Sequence, residues 1–422
     1  MKSMTKIWGP FLAVAALLFA LAPPAAAEAN ERPALPVDIT VAVDEGQPVP
    51  LEAYTIDGCD YVKLRDAAQA LRTTRKGFTL AWDGASNELY LHSGTAYVAA
   101  GGELVPTEDK ASKTAFPAAA KLYLDNQYHE LDFTLYRIGG SHYLKLSDLA
   151  EALDFYMAGG AAGPIAIDTQ AGYSVTGNKL YYSEGSRLWD EPLTGVKSAI
   201  SADIDGDGEK ESAHIVVGTG EEKTWTLVYQ DGDIEASVPI FKGKENGWSI
   251  AVAAGHIVSE HAVDFLVAVN LASTTGRSDY ELYSFKDGDF TKIDVKEITD
   301  GTEFGVNDVR VDENQKAVWI SAGGVAVTVP ISELELSDYR FYGQEIFCQE
   351  LDFFIEMKLQ SVAGRPLPDV VTTEMLAVAL PRALTYLHTT YRYDDGAWQV
   401  QSVEFYDADL MSAPDRKKAA AD

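Results

Sequence analysis

The chain has only two cysteines, Cys59 and Cys348. A structural zinc or iron–sulfur site draws on more cysteines than that. The two fall in different expected domains, so unpaired positions are the simpler expectation, although export would permit a bond between them. Basic residues are also scarce: 34 Lys and Arg stand against 64 Asp and Glu, a formal charge of −30. Such a chain repels phosphates, which argues against nucleic acid as a partner and against direct adsorption to anionic lipid. Seven histidines are scattered. His256 and His261 flank Glu260 but are five apart, not the i, i+4 pair of a zinc-protease helix. Gly-x-Ser-x-Gly and Gly-x-x-x-x-Gly-Lys-Ser/Thr are both missing, so the usual serine-hydrolase and phosphate-loop signals are absent.

Long apolar runs are missing too. Past residues 11–21, no stretch reaches the roughly 18 apolar residues of a membrane span. That first run follows Lys2 and Lys6 and ends at Ala25, Ala26 and Ala27. Residues 1–27 therefore read as an export signal, with Glu28 opening the mature chain. No cysteine follows the run, so no lipid anchor is expected. Residues 28–40 are rich in Pro and Ala and read as a linker. Residues 413–422 read as a short disordered tail.

What is present is a duplication. Residues 54–71 recur 82 positions later at 136–153, with ten of 18 positions identical. In each copy an alternating segment reaches a turn, Asp57-Gly58 or Gly139-Gly140, and returns as Tyr61-Val62-Lys63-Leu64 or Tyr143-Leu144-Lys145-Leu146. Leu64, Ala67, Ala68 and Leu71 then recur at helical spacing, as do Leu146, Leu149, Ala150 and Leu153. Asp66 and Asp148 lie near the helix starts, where a negative charge meets the positive end of the helix dipole. Residues 78–82 and 88–91 read as strands. Each copy is expected to be a small α+β unit, one over 41–105 and one over 118–170.

The shared motif is Tyr-x-Ile-x-Gly-x-x-Tyr-x-Lys-Leu-x-Asp-x-Ala-x-Ala-Leu, present twice. It resembles the copper amine oxidase N-terminal-like module, or stalk domain, which occurs in tandem in exported bacterial proteins. Gly101-Gly102-Glu103 between the copies is similar to that family as well. The resemblance covers roughly 40–170 and implies a non-catalytic module without copper. The modified tyrosine and the copper histidines of the amine oxidase catalytic domain are not visible.

After Tyr173 short strands and glycine turns dominate. Gly177, Gly232, Gly288, Gly343 and Gly396 recur at 53 to 56 residues. Asp-Gly turns at 231, 287 and 395 each follow an aromatic by two residues: Tyr229, Phe285 and Tyr393. Segments such as 224–229 and 234–238 are expected to pair across them. Residues 174–412 therefore read as a mainly-β, propeller-like region of about 55-residue repeats. One helical exception is expected at 373–380, cut short by Pro381.

One stretch reads as a site. Residues 203–211 place Asp203, Asp205 and Asp207 two apart, wrap through Gly206 and Gly208, and end on Glu211. Oxygen ligands at that spacing suit a hard cation, most simply Ca²⁺. The run resembles the calcium loop of FG-GAP or VCBS-type propeller repeats. That resemblance implies Asp203, Asp205, Asp207 and Glu211 as side-chain ligands, Glu209 through its backbone carbonyl, and a structural role for the ion. Residues 308–316 occupy a comparable place without the glycines, and 256–264 are further from the pattern. Trp225, Trp248, Trp319 and Trp398 read as packing and cross-strand residues rather than a sugar platform.

The expectation is thus a secreted, non-enzymatic binding or scaffold protein of the cell surface. Its stalk repeats would carry a Ca²⁺-stabilised β domain toward an envelope or extracellular ligand, protein or polysaccharide. The alternative is an extracellular polysaccharide hydrolase whose two carboxylates are paired only in space. A third reading is a plain envelope spacer.

Overall fold

A computed structural model describes residues 31–106, 109–126, 130–160, 163–175, 177–188, 195–218, 224–242, 247–270, 278–299, 306–332, 352–379 and 382–407. The expected leader, the tail, Gly343 and Cys348 lie outside these residues. The chain is mainly β. Among the described residues no helix is long and apolar enough to cross a membrane.

Both copies of the duplication fold alike. In the first, strands Val49–Ile56 and Cys59–Lys63 form the hairpin at Asp57-Gly58, and helix Leu64–Leu71 follows. In the second, Tyr136–Ile138, Ser141–Lys145 and helix Leu146–Leu153 repeat the pattern. The helices bury the apolar positions that the spacing marks.

The copies are not two separate units. Strand Cys59–Lys63 pairs antiparallel with Ser141–Lys145, setting Lys63 opposite Tyr143 and Tyr61 opposite Lys145. Equivalent residues thus meet about a pseudo-twofold axis. Strand Arg32–Val43 pairs with Val49–Ile56, and Lys113–Pro117 pairs with both Arg32–Ala34 and Tyr136–Arg137. Six strands thereby close into a ring, which leaves neither hairpin with an open edge. Most of the expected linker 28–40 is therefore strand, because the ring needs its backbone groups. The motif tyrosines are each other's partners: Tyr54 meets Tyr143 edge-on at 5.4 Å, and Tyr61 meets Tyr136 at 4.9 Å. On the other face both helices share one core, with Leu71, Phe78, Leu91, Leu149 and Phe155. Asp66 does more than face a dipole. It is fully buried, and its Oδ2 accepts the Glu52 N–H at 2.7 Å.

Arg75, just past the first helix, ties the first copy to the end of the second and to the chain beyond it. It donates to the carbonyls of Thr169 at 2.8 Å, Gln170 at 2.6 Å and Tyr182 at 3.1 Å. Lysine lacks the planar fork that spans three acceptors. Arg75→Ala and Arg75→Lys are both expected to destabilise the chain by about 1–2 kcal/mol, read as a lower melting temperature.

The remaining chain forms antiparallel meanders. Strands Gly195–Ala202, Glu211–Val217, Trp225–Asp231 and Ile234–Ile240 make one sheet, and Ser249–Gly255, Val263–Asn270, Ser278–Lys286 and Asp289–Ile293 run through the next. A three-stranded sheet covers Val306–Asp312, Ala317–Ala322 and Val325–Pro330. The last holds Asp352–Gln360, Asp369–Ala379, Arg382–Asp394 and Ala397–Asp407. Gly232, Gly288 and Gly396 each turn the final hairpin of their sheet. Gly177 does not; it lies in the loop before Leu180–Tyr182. The expected helix at 373–380 is instead the end of strand Asp369–Ala379, with Leu380 outside the described residues. Glu, Met, Leu and Ala suit a helix, but this strand has partners on both sides, and pairing overrides propensity. Alternation is clean in Glu211–Val217, where Ala213, Ile215 and Val217 point inward. They join Leu227, Tyr229, Val252, Phe265 and Val267 in one core shared by the first two meanders.

Candidate metal centre

Residues 203–211 form the connection between strands Gly195–Ala202 and Glu211–Val217. Ala202 pairs with Glu211, so the loop leaves and re-enters the sheet at one rung. Gly206 and Gly208 have φ of 86° and 96°, which a side chain would resist. The aspartates organise the turn. Asp203 Oδ1 accepts the Gly206 and Gly208 N–H at 2.9 and 3.3 Å. Asp205 Oδ1 accepts from Asp207 at 3.1 Å, and Asp207 Oδ1 from Glu209 at 2.8 Å.

One oxygen from each of Asp203, Asp205, Asp207 and Glu211 lies within 4.8 Å of the others. Ca²⁺ holds oxygens at about 2.3–2.6 Å, so ligands across one ion stand up to about 5 Å apart. The side chains expected together are therefore together. Glu209 is exposed, and its carboxylate is not in the cluster, in keeping with a part through its backbone. Lys210 points elsewhere, 3.9 Å from Glu45.

Glu211 is the informative member. It is 1% exposed. Its Oε2 accepts the Ile204 and Asp205 N–H at 2.6 and 3.3 Å. Its Oε1 is buried without a hydrogen-bond partner. Burial, with the Asp205 and Asp203 charges added, pushes its carboxyl up to about 7 against two opposing backbone N–H groups. A buried acceptor left unpaired is costly, and a buried charge more so.

The other sheets give the contrast. The residue of the second strand opposite the last rung of the first is Glu211, Asp264, Ala317 or Asp369. The intervals are 53, 53 and 52 residues. Asp264 is fully buried; its Oδ2 takes three backbone N–H groups, from Ile257, Val258 and Ser259, at 2.7 to 3.2 Å, while its Oδ1, like Glu211 Oε1, has no hydrogen-bond partner. Burial still pushes its carboxyl upward against these bonds. Asp369, 5% exposed, is met by the guanidinium of Arg365 and by Arg392 Nε at 3.4 Å. Ala317 has no charge to satisfy. Glu211 alone has two amides, three neighbouring aspartates and no cationic side chain among the described residues. Residues 308–316 do occupy the comparable place, since Asp312 pairs with Ala317 where the first two strands of that sheet join, but Asp308 is within strand Val306–Asp312 and the turn is held by Asp312. His256 and His261 belong to the loop under Asp264. His256 Nδ1 lies 2.7 Å from the Ala262 carbonyl.

Asp231, at the next hairpin, is missed by sequence spacing. Burial and the charges of Asp205 and Asp207 push its carboxyl upward, so it adds to the negative field of the loop. Nothing in the local pattern marks it, because its nearness comes from strand pairing.

No protein-family model matches the chain, and no curated protein or solved structure matches it.

Proposed function

We propose that the chain is a secreted, non-enzymatic binding or scaffold protein of the bacterial cell surface. Copper amine oxidase N-terminal-like stalk repeats carry a propeller-like domain that one Ca²⁺ stiffens. The observation that carries the cation is the buried Glu211 Oε1, unpartnered beside Asp203, Asp205 and Asp207. Ca²⁺ at that point would take Glu211, the three aspartates and the Glu209 carbonyl, and would neutralise charge that the protein itself leaves uncompensated. The four-stranded meanders and their 53-residue rung position support repeated, propeller-like units. The closed, duplicated ring supports a rigid stalk, and the leader-like residues 1–27 support export. The ion is structural in this reading because it joins two strands at one rung.

The experiment is co-sedimentation of the full chain with purified bacterial envelope, in Ca²⁺ and in chelator. Retention in Ca²⁺, weakened by chelator, is expected. A chain that stays in the supernatant under both conditions has no envelope ligand.

A further inference from the structure

A second site lies in the ring region, away from the acidic loop. A groove of about 740 Å³ runs between strands Phe78–Asp83 and Glu88–Ser93 and the hairpin turn of the second copy. Its lining includes Arg65, Trp82, Asn87, Arg137, Ser141 and His142. Trp82 is 50% exposed, and its ring lies 5.3 Å from that of His142, tilted by 35°. Leu64, Leu80 and Leu89 supply an apolar part of the lining.

The charge of the groove runs against that of the chain. There are 64 acidic residues in 422, yet among the described residues none lines it. Lys63 is already held by Glu52 at 3.0 Å. Arg65 and Arg137 are exposed and make no ion pair with a described residue. Burial, with the charges of Arg137 and Arg65 adding to it, holds His142 below its ordinary range.

The fold does not require these residues. Where the second copy has Arg137 and His142, the first has Thr55 and Asp60, joined by a 2.5 Å hydrogen bond. Where the first has Arg65, the second has Ser147. Both copies form the same hairpin and helix, so the cationic set is a departure from the repeat rather than part of it. The opposite wall is fixed in advance. Glu103 accepts the Ala100 and Gly101 N–H and the Tyr97 hydroxyl at 2.8 to 3.0 Å. Preformed walls lower the ordering cost of binding.

We propose that this groove binds an anionic saccharide, a sugar bearing a carboxylate or a phosphate. The flat face of Trp82 takes the apolar face of a sugar ring. Asn87 and Ser141 offer hydrogen-bond donors and acceptors to hydroxyls. The planar guanidinium groups of Arg65 and Arg137 suit either anion, in two-point geometry. The proposal names a ligand class for the binding function above but does not rest on the cation.

The test is calorimetric titration of the full chain with an oligogalacturonate, an oligosaccharide phosphate and neutral cellohexaose, in Ca²⁺ and in chelator. At least one anionic probe is expected to bind, more weakly in high salt, and cellohexaose far less. The stronger anionic probe identifies carboxylate or phosphate as the recognised group. Trp82→Ala and the pair Arg65→Gln, Arg137→Gln each lower affinity by about tenfold or more. All three side chains are exposed, so unchanged melting temperatures certify the variants. Binding of neither anionic probe, equal binding of cellohexaose, or wild-type affinity in the folded variants would overturn the proposal. A calcium-dependent melting shift is a separate readout, so either claim can fail without the other.

Discussion

Chelating Ca²⁺ lowers the melting temperature of the full chain by roughly 5 °C or more relative to Ca²⁺ at a hundredfold excess over its Kd. Asp205→Ala abolishes the difference. The cause lies at Glu211, whose buried Oε1 has no partner while three aspartates crowd the loop. An ion that binds only the folded loop adds its binding free energy to stability. The proton competes for the same carboxyl. Without the ion, burial and the neighbouring carboxylates raise Glu211 from its ordinary 4.5 to about 7. A raised carboxyl pKa means that the folded chain holds that proton more tightly than the unfolded chain. In chelator, stability from this group is present below about pH 4.5 and is lost as the pH rises through 7. In Ca²⁺ the loss is opposed, so the melting shift grows from pH 5 to pH 8. Calorimetry that detects no Ca²⁺ binding at pH 8, with melting unchanged by chelator, removes the site.

Asp264→Ala is expected to lower the melting temperature by roughly 6 °C or more, equally in Ca²⁺ and in chelator. Its Oδ2 accepts three backbone N–H groups in a loop whose Ile257 is 2% exposed. Truncation leaves those donors unpaired, and each unsatisfied buried group costs about 1–3 kcal/mol. Asp264→Asn keeps an acceptor of the same shape without the charge, so it recovers part of the loss. The two variants test two ways of closing the same rung: one loop chiefly by backbone amides, the other by an added ion. If Asp264→Ala melts like the wild type, or its loss depends on Ca²⁺, the equivalence of Glu211 and Asp264 is wrong.

Several features were legible because their causes are local. Asp57-Gly58, Asp231-Gly232, Asp287-Gly288 and Asp395-Gly396 supply the positive φ that short hairpins need, and each is a hairpin. The helices at Leu64–Leu71 and Leu146–Leu153 follow from apolar spacing. Other features were not legible because partners decide them. Residues 32–40 look like a linker until two strands claim their backbone. Residues 373–379 look helical until neighbours on both sides take their hydrogen bonds. The glycine period points to repeats, but the firmer marker is the residue of each second strand that faces the last rung of the first, which is Glu, Asp, Ala or Asp and carries no common letter.

The acidic loop shows where the division falls. Sequence alone determined its ligand types, its spacing and its two glycine bends, because a run of nine residues encodes those directly. It determined the duplication as well, through repeated letters. Tertiary structure decided that the two copies form one closed ring, because only pairing across 82 residues removes the open edges. It decided that Glu211 is buried beside three aspartates with no cationic side chain among the described residues to meet them, while Asp264 takes three backbone amides and Asp369 two arginines, because burial and partners come from the sheet around the loop. It also gathered Arg65, Trp82, Arg137 and His142 into one groove. No motif joins residues so far apart; a shared wall does.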